Sequence, residues 1–186
     1  MRAGRRSRPR RPKTLAQARR RRRAAAPDLD IVVASPLWKR RRGARALLRR
    51  AVAEAAALLS TGRSELAIVL TDDSAVRALN RDWRRKDAAT NVLSFPVQRP
   101  STARGLPRLL GDIVIAYETT EREARAEHKP FAHHLAHLAV HGFLHLAGYD
   151  HEAEAEAQAM ESLETVILAR LDVPDPYLAR YAIDNR

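Results

Sequence analysis

His141, His145 and His151 stand four and six residues apart in the stretch His-Gly-Phe-Leu-His-Leu-Ala-Gly-Tyr-Asp-His. No other feature restricts the fold as tightly. Residues four apart share one face of a helix, so His141 and His145 can reach the same point. Gly148 can end that helix in the left-handed conformation and turn the chain back. His151, just past the turn, can then supply a third nitrogen. Three imidazoles, with a fourth position left for water or substrate, are the donor set of a catalytic zinc.

The same spacing, H-E-x-x-H-x-x-G-x-x-H, occurs in the metzincin proteases. Position 142 is glycine here, where that motif has glutamate. That glutamate takes the proton from the metal's water during peptide hydrolysis. Three readings stay open on these residues: a metallohydrolase that does without that base, a peptidase, and a non-enzymatic RNA-binding factor with a structural zinc. In the last reading Asp150 can be the fourth ligand. Otherwise Asp150 is a hydrogen-bonder at the helix end or, as carboxylates near such sites commonly are, a hydrogen-bond partner of a ligating histidine. His137, one turn before His141, is expected to be a hydrogen-bonding neighbour of the ligands or a satisfied core histidine. His133 and His134 are expected at the surface or in a groove, and His128 at the surface.

The charge is unevenly placed. Residues 1–26 carry eleven Arg and one Lys with no acid, which accounts for the formal net charge of +12. The other 22 basic residues balance the 22 acidic ones. Residues 1–27 therefore read as a disordered Arg-rich arm that can add salt-dependent attraction to nucleic acid phosphates. Residues 28–186 read as a single domain with room for a real core. With no cysteine, there is no disulfide partner and no thiolate metal site. No apolar run approaches membrane-spanning length, so no membrane partner is expected.

Along the chain, Leu29–Val33, Glu65–Leu70, Asn91–Phe95 and Gly111–Ala116 read as strands. Ser35-Pro36 opens a helix expected from about Leu37 to Leu59, whose basic residues form a solvated face or, alternatively, a phosphate-tracking one. Asp72 or Asp73 caps a helix through Asn80. Trp83–Asp87 reads as an exposed charged loop, and residues 97–110 as a flexible loop. Helices are expected over Glu118–Glu127, residues 131–147 and Glu152–Leu171, the last with Met160, Leu163, Val166, Ile167 and Leu171 inward. Asp175-Pro-Tyr177 begins a terminal turn. The sum is an α+β fold with α/β-type layers: a mixed sheet of about four strands packed with about five helices, the metal site lying on a central helix and the turn after it.

The segment His141–His151 closely resembles the signature of the bacterial YbeY endoribonucleases, the rRNA maturation factors. Leu79–Asp87 with Thr90–Pro96, Gly111–Ile115 and Asp175–Tyr177 are similar to further motifs of that family, in the expected order. The resemblance covers roughly residues 28–182 and leaves the arm unexplained. It implies a single-strand-specific endoribonuclease dependent on one Zn(2+) per chain. Such an enzyme acts in small-subunit rRNA 3′-end maturation and ribosome quality control in the cytoplasm, with RNA and the ribosome as partners. His141, His145 and His151 would be its zinc ligands. Arg84 would be the family's important arginine after an aromatic residue, here Trp83. A guanidinium can make two parallel hydrogen bonds to phosphoryl oxygens as their charge grows. Trp83, Arg85 and Lys86 are the accompanying candidates for RNA contact, Trp83 by stacking on a base.

Overall fold

The computed structural model describes residues 26–97, 107–151 and 153–178. Strands β1 (Asp28–Val33), β2 (Ser64–Thr71), β3 (Val92–Pro96) and β4 (Arg108–Ala116) form one sheet in the order β1-β2-β4-β3. β1, β2 and β4 run parallel, and β3 lies antiparallel along β4 at one edge. The helices are α1 (Ala44–Leu59), α2 (Asp73–Arg84), α3 (Tyr117–Ala126), α4 (Phe131–Ala147) and α5 (Glu154–Ala169). A mixed four-stranded sheet with five α-helices is the α+β architecture the sequence leads one to expect.

The side-chain period of two along β4 divides the core. Ile113 and Ile115 join the main cluster with Leu48 and Val52 of α1, Phe143 and Leu144 of α4, and Met160 and Ile167 of α5. Val114 and Ala116, one position out of phase, join Val76 and Leu79 of α2 and Leu93 of β3. Helices therefore cover both faces. α4 is the central element: Leu135, Ala139, Val140, Phe143 and Leu144 are all at most 1% exposed. At roughly 1.5–3 kcal/mol for each fully buried large apolar side chain, this helix is fixed by its apolar side. Its remaining face is free to carry polar chemistry. Gly148, at φ +99°, ends it, and the Tyr149 N–H closes the turn on the Leu144 carbonyl at 3.0 Å.

α2 and α3 cap one another. Asp72 accepts from the Ala75 N–H at 3.1 Å, as expected of an N-cap. Beside it the Asp73 N–H donates to Glu118 Oε2 at 2.9 Å, and Asp73 Oδ1 accepts from the Thr119 N–H at 2.9 Å. The first turns of the two helices are thus pinned to each other.

Several boundaries differ from expectation. The helix expected over Leu37–Leu59 is two elements, a 3-10 turn at Pro36–Arg40 and then α1. Tertiary contacts make the break. Trp38 donates Nε1–H to the Thr71 carbonyl at 2.8 Å, and Arg41 leaves the helical path to pair with Glu121 at 2.9 Å and lie 4.0 Å above the Phe131 ring. Trp83 and Arg84 belong to the last turn of α2 rather than to a loop. Arg108–Leu110 extend β4, pairing with β2, instead of belonging to the expected loop, of which 98–106 lie outside the described residues. On α5, Val166 faces outward at 47% exposure while Glu164 faces inward at 0%. His134 takes the groove placement of the two expected: it is 5% exposed in a cavity wall, where Glu123 Oε2 meets its Nε2 at 2.9 Å. The expected Arg-rich arm lies outside the described residues up to position 25.

Candidate metal centre

α4 turns His134, His137, His141 and His145 onto its apolar-poor side. One carboxylate governs the middle of that row. Glu164 of α5 accepts from His141 Nδ1–H at 2.8 Å and from His137 Nε2–H at 3.0 Å. The Tyr177 hydroxyl donates to the same group. Burial pushes the Glu164 carboxyl up, but the hydrogen bonds and charges of His137 and His141 outweigh it and bring its pKa down to about 2. An ionised carboxylate can only accept, so the proton between it and His141 sits on Nδ1. At His145 the Tyr149 carbonyl meets Nδ1 at 3.1 Å and fixes the same tautomer. Burial, then the neighbouring His141 and His151 rings, lower the His145 pKa and keep it neutral.

The consequence lies at the other ends of the two rings. His141 Nε2 and His145 Nε2 face each other at 3.1 Å. When both rings are neutral with the proton on Nδ1, the two Nε2 lone pairs face each other, an arrangement relieved either by a shared proton or by a metal ion. Tetrahedral zinc at ~2.0–2.1 Å from each nitrogen places them roughly 3.3 Å apart. The His151 ring is 5.5 Å from that of His141 and 5.1 Å from that of His145. One ligand atom from each of the three lies within 4.8 Å of the others. The three histidines thus form a group that could hold a metal ion, with the buried carboxylate and the carbonyl orienting two of the rings.

Asp150 is not part of this group. Its Oδ1 accepts from the His151 backbone N–H at 2.8 Å and holds the turn that presents that ring. Position 142, where a metzincin has its base, faces away from the histidines. A Cβ on Gly142 would lie 2.9 Å from Ile113 Cγ2, against the sheet.

A cavity of about 770 Å³ opens beside the centre, with His141 and His151 in its wall and Val92, Leu138 and Met160 supplying apolar surface. It continues past His137 to Glu123, His134 and Asn91. There Glu123 Oε2 accepts from Asn91 Nδ2 at 2.8 Å, which brings Asn91 into the cleft wall. Trp83, Arg84, Arg85 and Lys86 do not line it. They are exposed at the C-terminal end of α2, with Trp83 edge-on to Phe95 of β3 at 6.0 Å between centroids. Asp87 does not hold Arg84; it is taken by Arg77 through two 2.7 Å contacts.

The sequence reading missed Glu164 and Tyr177. The signal for Glu164 was a carboxylate four residues after Met160 and three before Ile167, on the buried stripe of a helix. Tyr177 stands in the Asp175–Tyr177 motif, but nothing local ties it to Glu164, since that contact comes from the chain after α5.

An α+β fold that gathers three imidazoles around one point, at the wall of an open cavity, defines the class: a protein whose three histidines could hold a metal ion. Among proteins of that class this chain belongs to the Endoribonuclease YbeY family, whose model matches residues 38–172. It is 55% identical over 158 residues to Endoribonuclease YbeY of Nitrobacter hamburgensis, covering 82% of this chain and 83% of the relative. It is 52% identical over 163 residues to that of a Bradyrhizobium species, covering 85% and 96%. The solution structure of TM1509 from Thermotoga maritima aligns over 77% of this chain and 91% of its own, at 20% identity and a TM-score of 0.44. Among the described residues no helix is long and apolar enough to cross a membrane.

Proposed function

We propose that this chain is a single-strand-specific endoribonuclease dependent on one Zn(2+), acting in the cytoplasm. Its role is maturation of the small-subunit rRNA 3′ end and ribosome quality control, in contact with the small ribosomal subunit. The observation that carries the reading is the grouping of His141, His145 and His151, with the His141 and His145 Nε2 atoms 3.1 Å apart, in a member of an endoribonuclease family.

His141, His145 and His151 hold the ion. When bound, it supplies a Lewis acid for a phosphoryl oxygen and a water of lowered pKa. The chain's own groups do the remaining work. Glu164 keeps the proton on His141 Nδ1, and the Tyr149 carbonyl does so for His145, so both rings present Nε2 as ligand. His137 and Tyr177 occupy the second carboxylate oxygen of Glu164 and keep it from rotating. Asp150 fixes the backbone before the His151 ring. The Arg84 guanidinium makes paired hydrogen bonds to the scissile phosphate as charge develops, and Trp83 stacks on a neighbouring base while Arg85 and Lys86 hold the flanking backbone. The peptidase reading has no support at position 142, where the side chain that would act as base has no room. Residues 1–26 form an Arg-rich arm outside this domain. Deleting them should weaken RNA affinity and flatten its salt dependence while saturated turnover on a short RNA holds.

The test is cleavage of a labelled single-stranded RNA by zinc-loaded protein beside His145→Ala. Cutting that is lost with the histidine is expected, and the chemistry of the new ends tells attack by water from attack by the ribose 2′-OH. Intact RNA in both, with and without ribosomal subunits, would sink the proposal and favour a structural metal.

A further inference from the structure

Between Asp30 and Glu54 the chain has no acidic residue and seven basic ones, Lys39, Arg40, Arg41, Arg42, Arg45, Arg49 and Arg50. Two are committed internally. Arg41 pairs with Glu121, and Arg49 donates Nη1–H to the Leu29 carbonyl at 2.9 Å. The other five side chains are exposed, and among the described residues none has a hydrogen-bond or ion-pair partner. They sit on the 3-10 turn, the bend after it and the first half of α1. Arg45 and Arg49, four apart, are neighbours on one helix face, and Arg42 continues the row by one turn.

Such an array opposes the helix that carries it. Like charges four apart repel. The first turn of α1 has no acidic residue to complement the positive end of the helix dipole. An anionic ligand would relieve both terms. The rest of the domain supplies the reason to need one. The cavity wall beside the histidines carries Glu123, Glu127, Glu161 and Glu164 against Lys129, which pairs with Glu127 at 2.6 Å. Away from the metal centre that wall gives a polyanion little to hold, so the rest of a long strand is better held elsewhere.

We infer that the five exposed cations of the 3-10 turn and α1 form a docking track for the sugar–phosphate backbone of RNA, separate from the cavity in which it is cut. The inference rests on the endoribonuclease reading and adds to it a second contact region. The track reads charge rather than sequence, so its contribution lies in affinity for long strands and in salt dependence.

The test uses the full zinc-loaded chain and a variant with Lys39, Arg40, Arg42, Arg45 and Arg50 all changed to Gln. None of the five makes a contact that the fold loses, so the variant should fold, and at low salt it should melt no lower than the parent. Binding of a long single-stranded 2′-O-methyl RNA is measured across a salt series. Each phosphate contact contributes about 0.7 to the slope of log K against log salt for single strands, so the slope should fall by up to about 3.5. The KM for a long RNA should rise, with cleavage of a trinucleotide retained. An unchanged slope in a folded variant would overturn the track while leaving the nuclease intact. Loss of trinucleotide cleavage would show that these residues serve the cavity instead. A parent protein that neither binds nor cuts RNA would fail the endoribonuclease reading itself. Phosphatidylserine vesicles are the second ligand: an unchanged RNA slope with vesicle binding lost in the variant would reassign the face to a lipid surface.

Discussion

His141 is held through Nδ1 by a carboxylate that is itself 0% exposed, and that carboxylate is gripped by two further side chains. Arg84, at the free end of α2, is exposed and has no ion-pair or hydrogen-bond partner among the described residues for its side chain. One region is preorganised and the other adaptive. A preorganised group loses little entropy when its ligand arrives, while a long exposed side chain must be ordered at that moment. Substitutions in the two regions should therefore register in different quantities, the first in metal affinity and stability and the second in turnover alone.

The largest effect expected comes from Gly142→Glu, which restores the metzincin spacing. The new side chain starts 2.9 Å from Ile113 and carries an unpaired charge into the packed side of α4. A loss of about 3–5 kcal/mol in urea unfolding is expected, with no peptidase activity gained. A stable variant that cuts peptides would show that this side of α4 is far softer than described. Arg84→Ala should lower turnover on single-stranded RNA by about 10²-fold, as removal of one transition-state donor does, leaving Tm and zinc affinity unchanged. A drop in either would mean that Arg84 has a structural role, and the contrast between the regions would fail. Glu164→Leu should weaken zinc binding about 10–100-fold, read by competition with a chelating dye. Unchanged affinity would show that the histidines need no bracing.

The smallest effect is in the acid limb of stability. Burial raises the Glu123 carboxyl, but hydrogen bonds from His134 and Asn91, then the charges of His134 and Arg122, outweigh it and lower its pKa. A depressed folded pKa gives stability that is fully present above the unfolded value of ~4.3 and lost as pH falls through the lower folded value. Unfolding midpoints of Glu123→Gln and the parent should differ near neutrality and converge in that acidic window. A constant difference across pH would mean that Glu123 acts through packing alone.

Much of the centre could be read from the chain because its elements are local. A helix over 131–147, its glycine stop and the return to His151 follow from spacing within eleven residues, and all are found. What holds the centre is distant in sequence. Glu164 lies 23 residues after His141, and Tyr177 lies 13 beyond that. A period-3.6 pattern assigns a face by its apolar members, so it counts Val166 inward and passes over Glu164, the one buried carboxylate among the described residues. The break at Arg41 escaped for a related reason: helical propensity continues through Lys39–Arg42, and only the Glu121 and Phe131 contacts overrule it. The sheet order, with β4 inserted between β2 and β3, likewise depends on pairings that no local stretch encodes.

The mutual capping of α2 and α3, with Val76 fully buried just after it, fixes where α2 points. α2 has twelve residues, so its far end lies roughly 18 Å from the pinned turn at ~1.5 Å per residue. By simple lever geometry, a tilt of about 10° at the pin swings the Arg84 end through about 3 Å, on the order of the length of a hydrogen bond. The arm is long, its anchor includes three hydrogen bonds, and its load is the guanidinium.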